Sequence, residues 1–365
     1  MTPTRTEVAI VGGGLSGLAI ADALARVGRD YRVFEARDRV GGRILSMTGA
    51  GGRFDLGPAW IWPHNTRMLA LAKRLGPTVR AQYATGTLVF EDQSGSIRRD
   101  LTFATMGDAL RIAGGTALLT DALAAELDVA RLHLSHDVQS IEVDGGAVHI
   151  GGVGPGGAFT MTADRVVLAL PPRLAADRIT FSPKPDARVL RALAAVPTWM
   201  ARHAKFVAVY ESAFWRDAGL SGDAISHIGP LMEVHDATDE VADVPALFGF
   251  VRPGAIKRGA MATKADAVGQ LTRLFGPRAA LPAQVWLKDW STDANTATAT
   301  DAALPERHPT YGLPSFVQDW AGERLFFAGT EVAPQNGGFL EGALEAAEMA
   351  VAWTMVDTVA ESARV

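Results

Sequence analysis

The 365-residue chain contains no cysteine. That excludes disulfides, thiolate nucleophiles, iron–sulfur clusters and any cofactor link through a cysteinyl sulfur. It has no basic run, and its formal net charge is -5, so nucleic acid is disfavoured as a partner. The eight histidines show neither HExxH nor another tight ligand spacing, and no metal site is expected. No stretch approaches the ~18 apolar residues of a membrane span, and the C-terminal TMVDTVAESARV is too polar for a tail anchor. The first apolar run begins at Glu7, directly after MTPTRT, so no signal peptide is expected. The expectation is a soluble cytoplasmic protein. What is present is a composition of 48% hydrophobic and 21% charged residues, ordinary for a globular chain with a large core. The length fits two or three domains, or one two-domain enzyme.

The segment EVAIVGGGLSGLAIADALARVGRDYRVFEARDRVGGRI is the most informative. Glu7–Val11 has a buried-strand pattern, and Gly12, Gly14 and Gly17 form G-x-G-x-x-G. A helix of small residues follows, Gly28 ends it, and Tyr31–Phe34 is a second strand closed by Glu35. The first glycine permits the tight turn, the second lets a pyrophosphate approach, and the third lets helix and strand pack closely. An acid about 20 residues on can hold a ribose 2′-OH, and Glu35 fits that place while disfavouring a 2′-phosphate. The plain alternative is a glycine turn in any βαβ unit. With strand, helix and acid all in place, a dinucleotide site is the better reading, although these residues do not separate NAD from FAD.

The next residues continue as ARDRVGGRI. Arg39, Gly41, Gly42 and Arg43 supply the R-x-G-G-R that dinucleotide-binding flavoproteins carry here, which points to FAD. From this position the chain resembles the flavin-dependent amine oxidases, the group of monoamine oxidase, polyamine oxidase and the histone-demethylase-type enzymes. Four blocks carry the resemblance: VGGGLSGL…VFEARDRVGGRI, FDLGPAWIWPHNTRMLALAKRLG (54–76), AKFVAVYESAFWRDAGLSGD (204–223) and FFAGTEVAPQNGGFLEGALEAAEMAV (326–351).

The resemblance implies a fold and a site. The fold is α/β: a Rossmann-like, glutathione-reductase-type FAD-binding domain with a discontinuous α+β substrate domain built on an antiparallel sheet. The FAD domain would comprise residues 1–77, 114–194 and 293–365, and the substrate domain 78–113 and 195–292. The cofactor would be lined by Gly12, Gly14, Leu15, Ser16, Gly17, Glu35, Ala36, Arg37, Gly42 and Arg43. Gly57, Pro58, Ala59 and Trp60 would follow, with Val138 giving a backbone contact to adenine. Gly329, Thr330, Glu331, Gly338, Phe339 and Leu340 would lie along the ribityl chain and isoalloxazine. A helix over Phe339–Val351 would aim its positive end at the flavin, favouring reduction. The plain alternatives are core packing for Val138 and an ordinary amphipathic helix for 339–351.

For the chemistry, the resemblance assigns Lys205 to a water near flavin N5. A lysine inside HAKFVAVY is unusual, because an unpaired buried ammonium is costly; the alternative is a lysine on the solvent face of an edge strand. Phe339 supplies one ring of the family's aromatic clamp, but the other falls at Thr300, so half the clamp is missing. Ala299 stands where monoamine oxidase has its flavin-linking cysteine, so FAD is expected to be noncovalent. Trp60 and Trp62, pointing the same way in an extended segment, form a substrate wall or simply pack in the core. The long helical insertion of full-length relatives is absent between Phe90 and the 113–127 helix. A shallower site, or one covered by another subunit as in a homodimer, would follow, and bulky-substrate tunnels and membrane binding are put in doubt.

The leading expectation is oxidation of an amine or amino acid to the imine, with hydride passing to flavin N5 and O2 reoxidising it. A desaturase or dehydrogenase of another substrate class and a noncatalytic FAD scaffold stay open.

Overall fold

The computed structural model describes residues 5–303 and 307–362, the side chains at 257–258, 302–303 and 357–362 excepted. The chain falls into two compact units.

The first unit comprises Met1–Arg43, Leu119–Ala201 and Asp293–Val365. Its sheet is mixed, with eight strands. The parallel half runs through Leu132–His133, Tyr31–Phe34, Arg5–Val11, Gly157–Leu168 and Leu325–Phe327. The long Gly157–Leu168 strand then turns antiparallel to Ala147–Gly154, which pairs with Asp137–Asp144 across a Gly145-Gly146 turn. Buried Val, Ile and Ala side chains such as Val8, Ile10, Val166 and Val167 make the central strands near-continuous apolar runs, as expected where helices cover both faces. Helix Leu15–Arg26 follows the first strand, and helix Leu340–Ser362 packs against it. The second helix starts where the pattern predicts but runs beyond Val351; residues 363–365 of the polar C-terminal segment lie outside the described residues.

The second unit comprises Ile44–Leu118 and Arg202–Thr292. Its seven-stranded sheet runs in the order Gln284–Asp289, Ala204–Val209, Ala246–Val251, Leu231–Asp236, Leu220–Ser226, Thr87–Glu91, Ile97–Leu101. All pairs are antiparallel except Leu220–Ser226 with Thr87–Glu91. Successive side chains of a strand face opposite ways. Ala204, Phe206 and Ala208 therefore meet Ala267, Leu271 and Leu274 of helix Ala260–Phe275, while Val207 and Val209 join Phe54, Leu56 and Phe248 on the other face.

These units divide the chain differently from the expected domains at three places. Residues 44–77 group with the second unit, and the later boundaries fall after Leu118 and Ala201, not after 113 and 194; the boundary at 292/293 coincides. The reason is burial. The hairpin Ser46–Gly49/Gly52–Asp55 carries Phe54 into the apolar cluster of the second unit's sheet. No helix among the described residues is long and apolar enough to cross a membrane.

Candidate active site

In the first unit, the glycine loop is built by close backbone approach. Gly12 sits at φ 112° with Ala169 O only 2.5 Å from where a Cβ would be, and a Cβ on Gly17 would stand 1.9 Å from Gly12 O. Gly14 is different: a Cβ there would meet nothing closer than 4.0 Å. Gly14 is also the N-cap of helix Leu15–Arg26 and supplies no side-chain cap. A helix start without a side-chain cap leaves first-turn N–H groups that suit an anion such as a pyrophosphate. Ser16 turns its hydroxyl inward, donating to Ala328 O at 2.6 Å.

Glu35 ends the second strand almost fully buried. Its Oε2 accepts from Gly13 N at 2.7 Å and its Oε1 from Arg37 N at 2.9 Å. A carboxylate has about four lone-pair sites, so Glu35 is oriented and retains capacity to accept. Arg37 is held by Asp293 at 2.6 Å and Thr296 at 2.9 Å, and its other guanidinium nitrogen stands 3.7 Å from Glu35 Oε1. Ala36 lies between them, half-buried. Gly41 N donates to Gly13 O, and Gly42, at φ 57°, would place a Cβ 3.4 Å from Gly14 Cα. Arg43 and Glu331, both expected at the cofactor, form a two-point ion pair at 2.5 and 3.2 Å with Glu331 fully buried. Val138 is buried in the apolar core, where the strand register shifts just after it.

The second expected loop lies in the same unit. A Cβ on Gly329 would meet Leu170 O at 2.5 Å, and Thr330 Oγ1 donates to Phe339 O at 2.7 Å. Gly338 takes φ 82° beside Trp199 and Tyr311, just before Leu340 opens the long helix. Phe339 is 41% exposed. Its ring partner is not at Thr300, which sits exposed in the short 3-10 turn Ala299–Ala303. His308 stacks on Phe339 instead, centroids 4.7 Å apart and planes 5° from parallel, with Trp199 and Tyr311 edge-on to it. His308 carries no motif, so only the folded chain reveals it.

In the second unit, Lys205 lies on a strand paired on both sides, with Phe250 and Lys288 as its register partners. The edge-strand alternative is thereby corrected. Lys205 shares the face of Val207 and Val209 and is 3% exposed. Its Nζ donates to Gly57 O at 3.0 Å and stands 3.9 Å from the centroid of the Phe248 ring. Burial lowers its pKa to about 7; Asp55 opposes that shift and Arg111 adds to it. Asp55 organises the Asp55-Leu56-Gly57 turn: its Oδ1 accepts from Ser46 Oγ at 2.5 Å and from Thr116 N and Oγ1 at 2.9 Å. The Trp290 indole donates to Leu56 O at 2.9 Å. Pro58, half-buried, and Ala59, buried, continue that turn, and Pro58 O accepts from Thr116 Oγ1.

Trp60 joins the Lys205 wall, 5.2 Å from Phe248 and 5.9 Å from Phe250, with its indole donating to Gln82 Oε1 at 2.8 Å. His235, fully buried, meets Trp60 edge-on at 4.8 Å. Burial disfavours its cation, but the carboxylates of Asp223, at 3.0 Å, and Glu233 hold its pKa above the ordinary histidine value. Trp62 stacks instead on His64. Gln82, His235, Asp55 and Trp290 were not singled out from the sequence; of these only Asp55 stood in a recognised block.

The chain matches the family model for flavin containing amine oxidoreductase over residues 15–92 and 82–352. It is 24% identical to a flavin-containing amine oxidase of Danio rerio, over 96% of this chain and 86% of that protein. It is 26% identical to a putrescine oxidase of Kocuria rosea, over 68% of this chain and 74% of that protein. A solved putrescine oxidase double mutant superposes with a TM-score of 0.81 at 22% identity, covering 97% of this chain and 99% of that one.

Proposed function

From the premise that this chain belongs to the flavin containing amine oxidoreductases, FAD-dependent enzymes of amine oxidation, we propose how its residues divide the work. The substrate is an amine or an amino acid, oxidised at its C–N bond to an imine that water hydrolyses, with O2 as the final acceptor. FAD, when bound, supplies the acceptor for the hydride equivalent.

Gly12, Gly14, Leu15, Ser16 and Gly17 take the pyrophosphate, which the uncapped helix start supports. Glu35, with Ala36 and Arg37, takes the ribose, and Gly42, Arg43, Val138, Gly329, Thr330, Glu331, Gly338, Phe339 and Leu340 complete the cofactor's lining. Gly57, Pro58, Ala59 and Trp60 are assigned to it by the family pattern. FAD is held noncovalently, since Ala299 offers no sulfur. Trp60 and Phe339 contact substrate; Trp62 and Thr300 have weaker support.

One observation carries the catalytic reading: Lys205 is buried on a central strand, against Phe248, with its pKa brought to about 7. A lysine with that setting holds a water by donating to it, and can gain or lose a proton within the working pH range. Anaerobic mixing with a panel of amines and amino acids tests the function. Bleaching of the flavin by at least one member is expected; a flavin that none of them reduces would sink this reading.

A further inference from the structure

The second unit carries an arginine arrangement that the reaction described above does not use. Strands Val79–Ala81 and Leu110–Ile112 form a two-stranded antiparallel ribbon in which Arg80 is the direct register partner of Arg111. Directly opposed residues point to the same side, and like charges placed so are destabilising. Both line a small open cleft of about 20 Å³, together with Arg53 and Tyr83.

Two acids of that cleft, Asp236 and Asp239, are already engaged. Asp236 accepts from Arg216 through both oxygens at 2.8 Å, from the Trp215 indole and from Thr238 N. Asp239 accepts from the backbone N–H groups of Arg53, Val241 and Ala242. Glu240 stands exposed at the rim. Arg111 reaches only the Asp236 carbonyl, at 3.3 Å, and its Nε is buried with no hydrogen-bond partner. A donor withdrawn from water and left unpaired is costly, and a planar guanidinium pair suits a carboxylate.

The cleft adjoins the Lys205 wall. Gln82, which follows the Arg80 strand, accepts from the Trp60 indole and donates to the same Asp236 carbonyl that Arg111 reaches. Arg111 is also one of the charges that Lys205 senses.

We propose that Arg80 and Arg111 form a carboxylate-binding subsite, so that the preferred substrate is an amine bearing a carboxylate at its far end. The proposal rests on the amine-oxidising function above and narrows its substrate class.

The test pairs matched substrates: 4-aminobutanoate against putrescine, and 4-(aminomethyl)benzoate against benzylamine. Arg80→Gln and Arg111→Gln holoenzymes are compared with the parent. The expected result is that each variant lowers kcat/KM for the carboxylated member at least tenfold more than for its neutral partner. A second readout needs no turnover. Benzoate should raise the melting temperature of the parent and not of either variant, benzamide should raise neither, and Arg80→Gln without ligand should melt above the parent at low salt because the like-charge contact is relieved. Equal losses for both members of a pair, with no benzoate effect, overturn the subsite and leave amine oxidation standing. Protection by inorganic phosphate but not by benzoate also overturns it, as a site for free anions. If no amine reduces the flavin, the function fails while the benzoate arm still decides the subsite.

Discussion

Lys205 Nζ lies 3.9 Å from the Phe248 ring centroid while donating to the Gly57 carbonyl at 3.0 Å. The ring face and the carbonyl both favour a cation, and burial opposes it. Burial is the larger influence on Lys205, bringing its pKa to about 7 against the opposing charge of Asp55.

The first prediction concerns what that lysine does. Lys205→Met keeps the length and removes the charge, so fold and FAD content should survive. Flavin reoxidation or imine release should slow by about 10²–10⁴-fold, the scale for losing a positioned acid–base group. Stopped-flow traces of both half-reactions decide it. Parent-like rates in both would reduce Lys205 to a strand residue.

The same residue gives a stability signature. Its folded pKa lies below the 10.5 of an unfolded lysine, so between about pH 7 and pH 10.5 the unfolded chain binds more protons than the native one. The stability contributed by this site therefore rises with pH across that window. Below pH 7 the buried ammonium costs on the order of 5 kcal/mol relative to high pH, at about 1.36 kcal/mol per unit. Lys205→Met should lack this rise, so its advantage over the parent in urea unfolding should be largest near pH 6 and shrink toward pH 10. Parallel curves would refute the lowered pKa.

Glu35→Ala should weaken FAD binding by about 1.5–3 kcal/mol, the usual worth of a hydrogen bond to a charged group. Turnover of the refilled enzyme should change far less. Titration of apoprotein with FAD measures this, and an unaltered affinity removes Glu35 from the site.

Two glycines separate close approach from simple turn geometry. Gly17→Ala places a methyl 1.9 Å from Gly12 O, and should yield protein that cannot retain FAD. Gly28→Ala meets open space but keeps φ 72°, and should lose only about 1–2 kcal/mol with its flavin intact. The flavin absorbance of the purified variants distinguishes them.

Acid precipitation should release all the yellow colour into the supernatant, because Ala299 offers no linking atom and the chain has no cysteine. Colour kept in the pellet would reveal a link through another side chain.

The sequence by itself determined what depends on neighbours along the chain. The Gly12–Gly17 turn, the small-residue helix and Glu35 could be read because steric limits on glycine and a spacing of about 20 residues are local properties. The strand patterns around Lys205 and the start of the last helix were legible for the same reason. Tertiary structure alone decided which residues meet across long separations. Lys205 became a central-strand residue only when Ala246–Val251 and Gln284–Asp289 paired on its two sides. His308, with no motif, came to stack on Phe339 across 31 residues of chain. Arg80 and Arg111 came to face each other through a register between strands about 30 residues apart. The hairpin at 46–55 joined the second unit because Phe54 found its apolar partners near 207 and 248. Periodicity tells which side chains share a face, but register and burial choose the face opposite, and that choice is made by the whole chain at once.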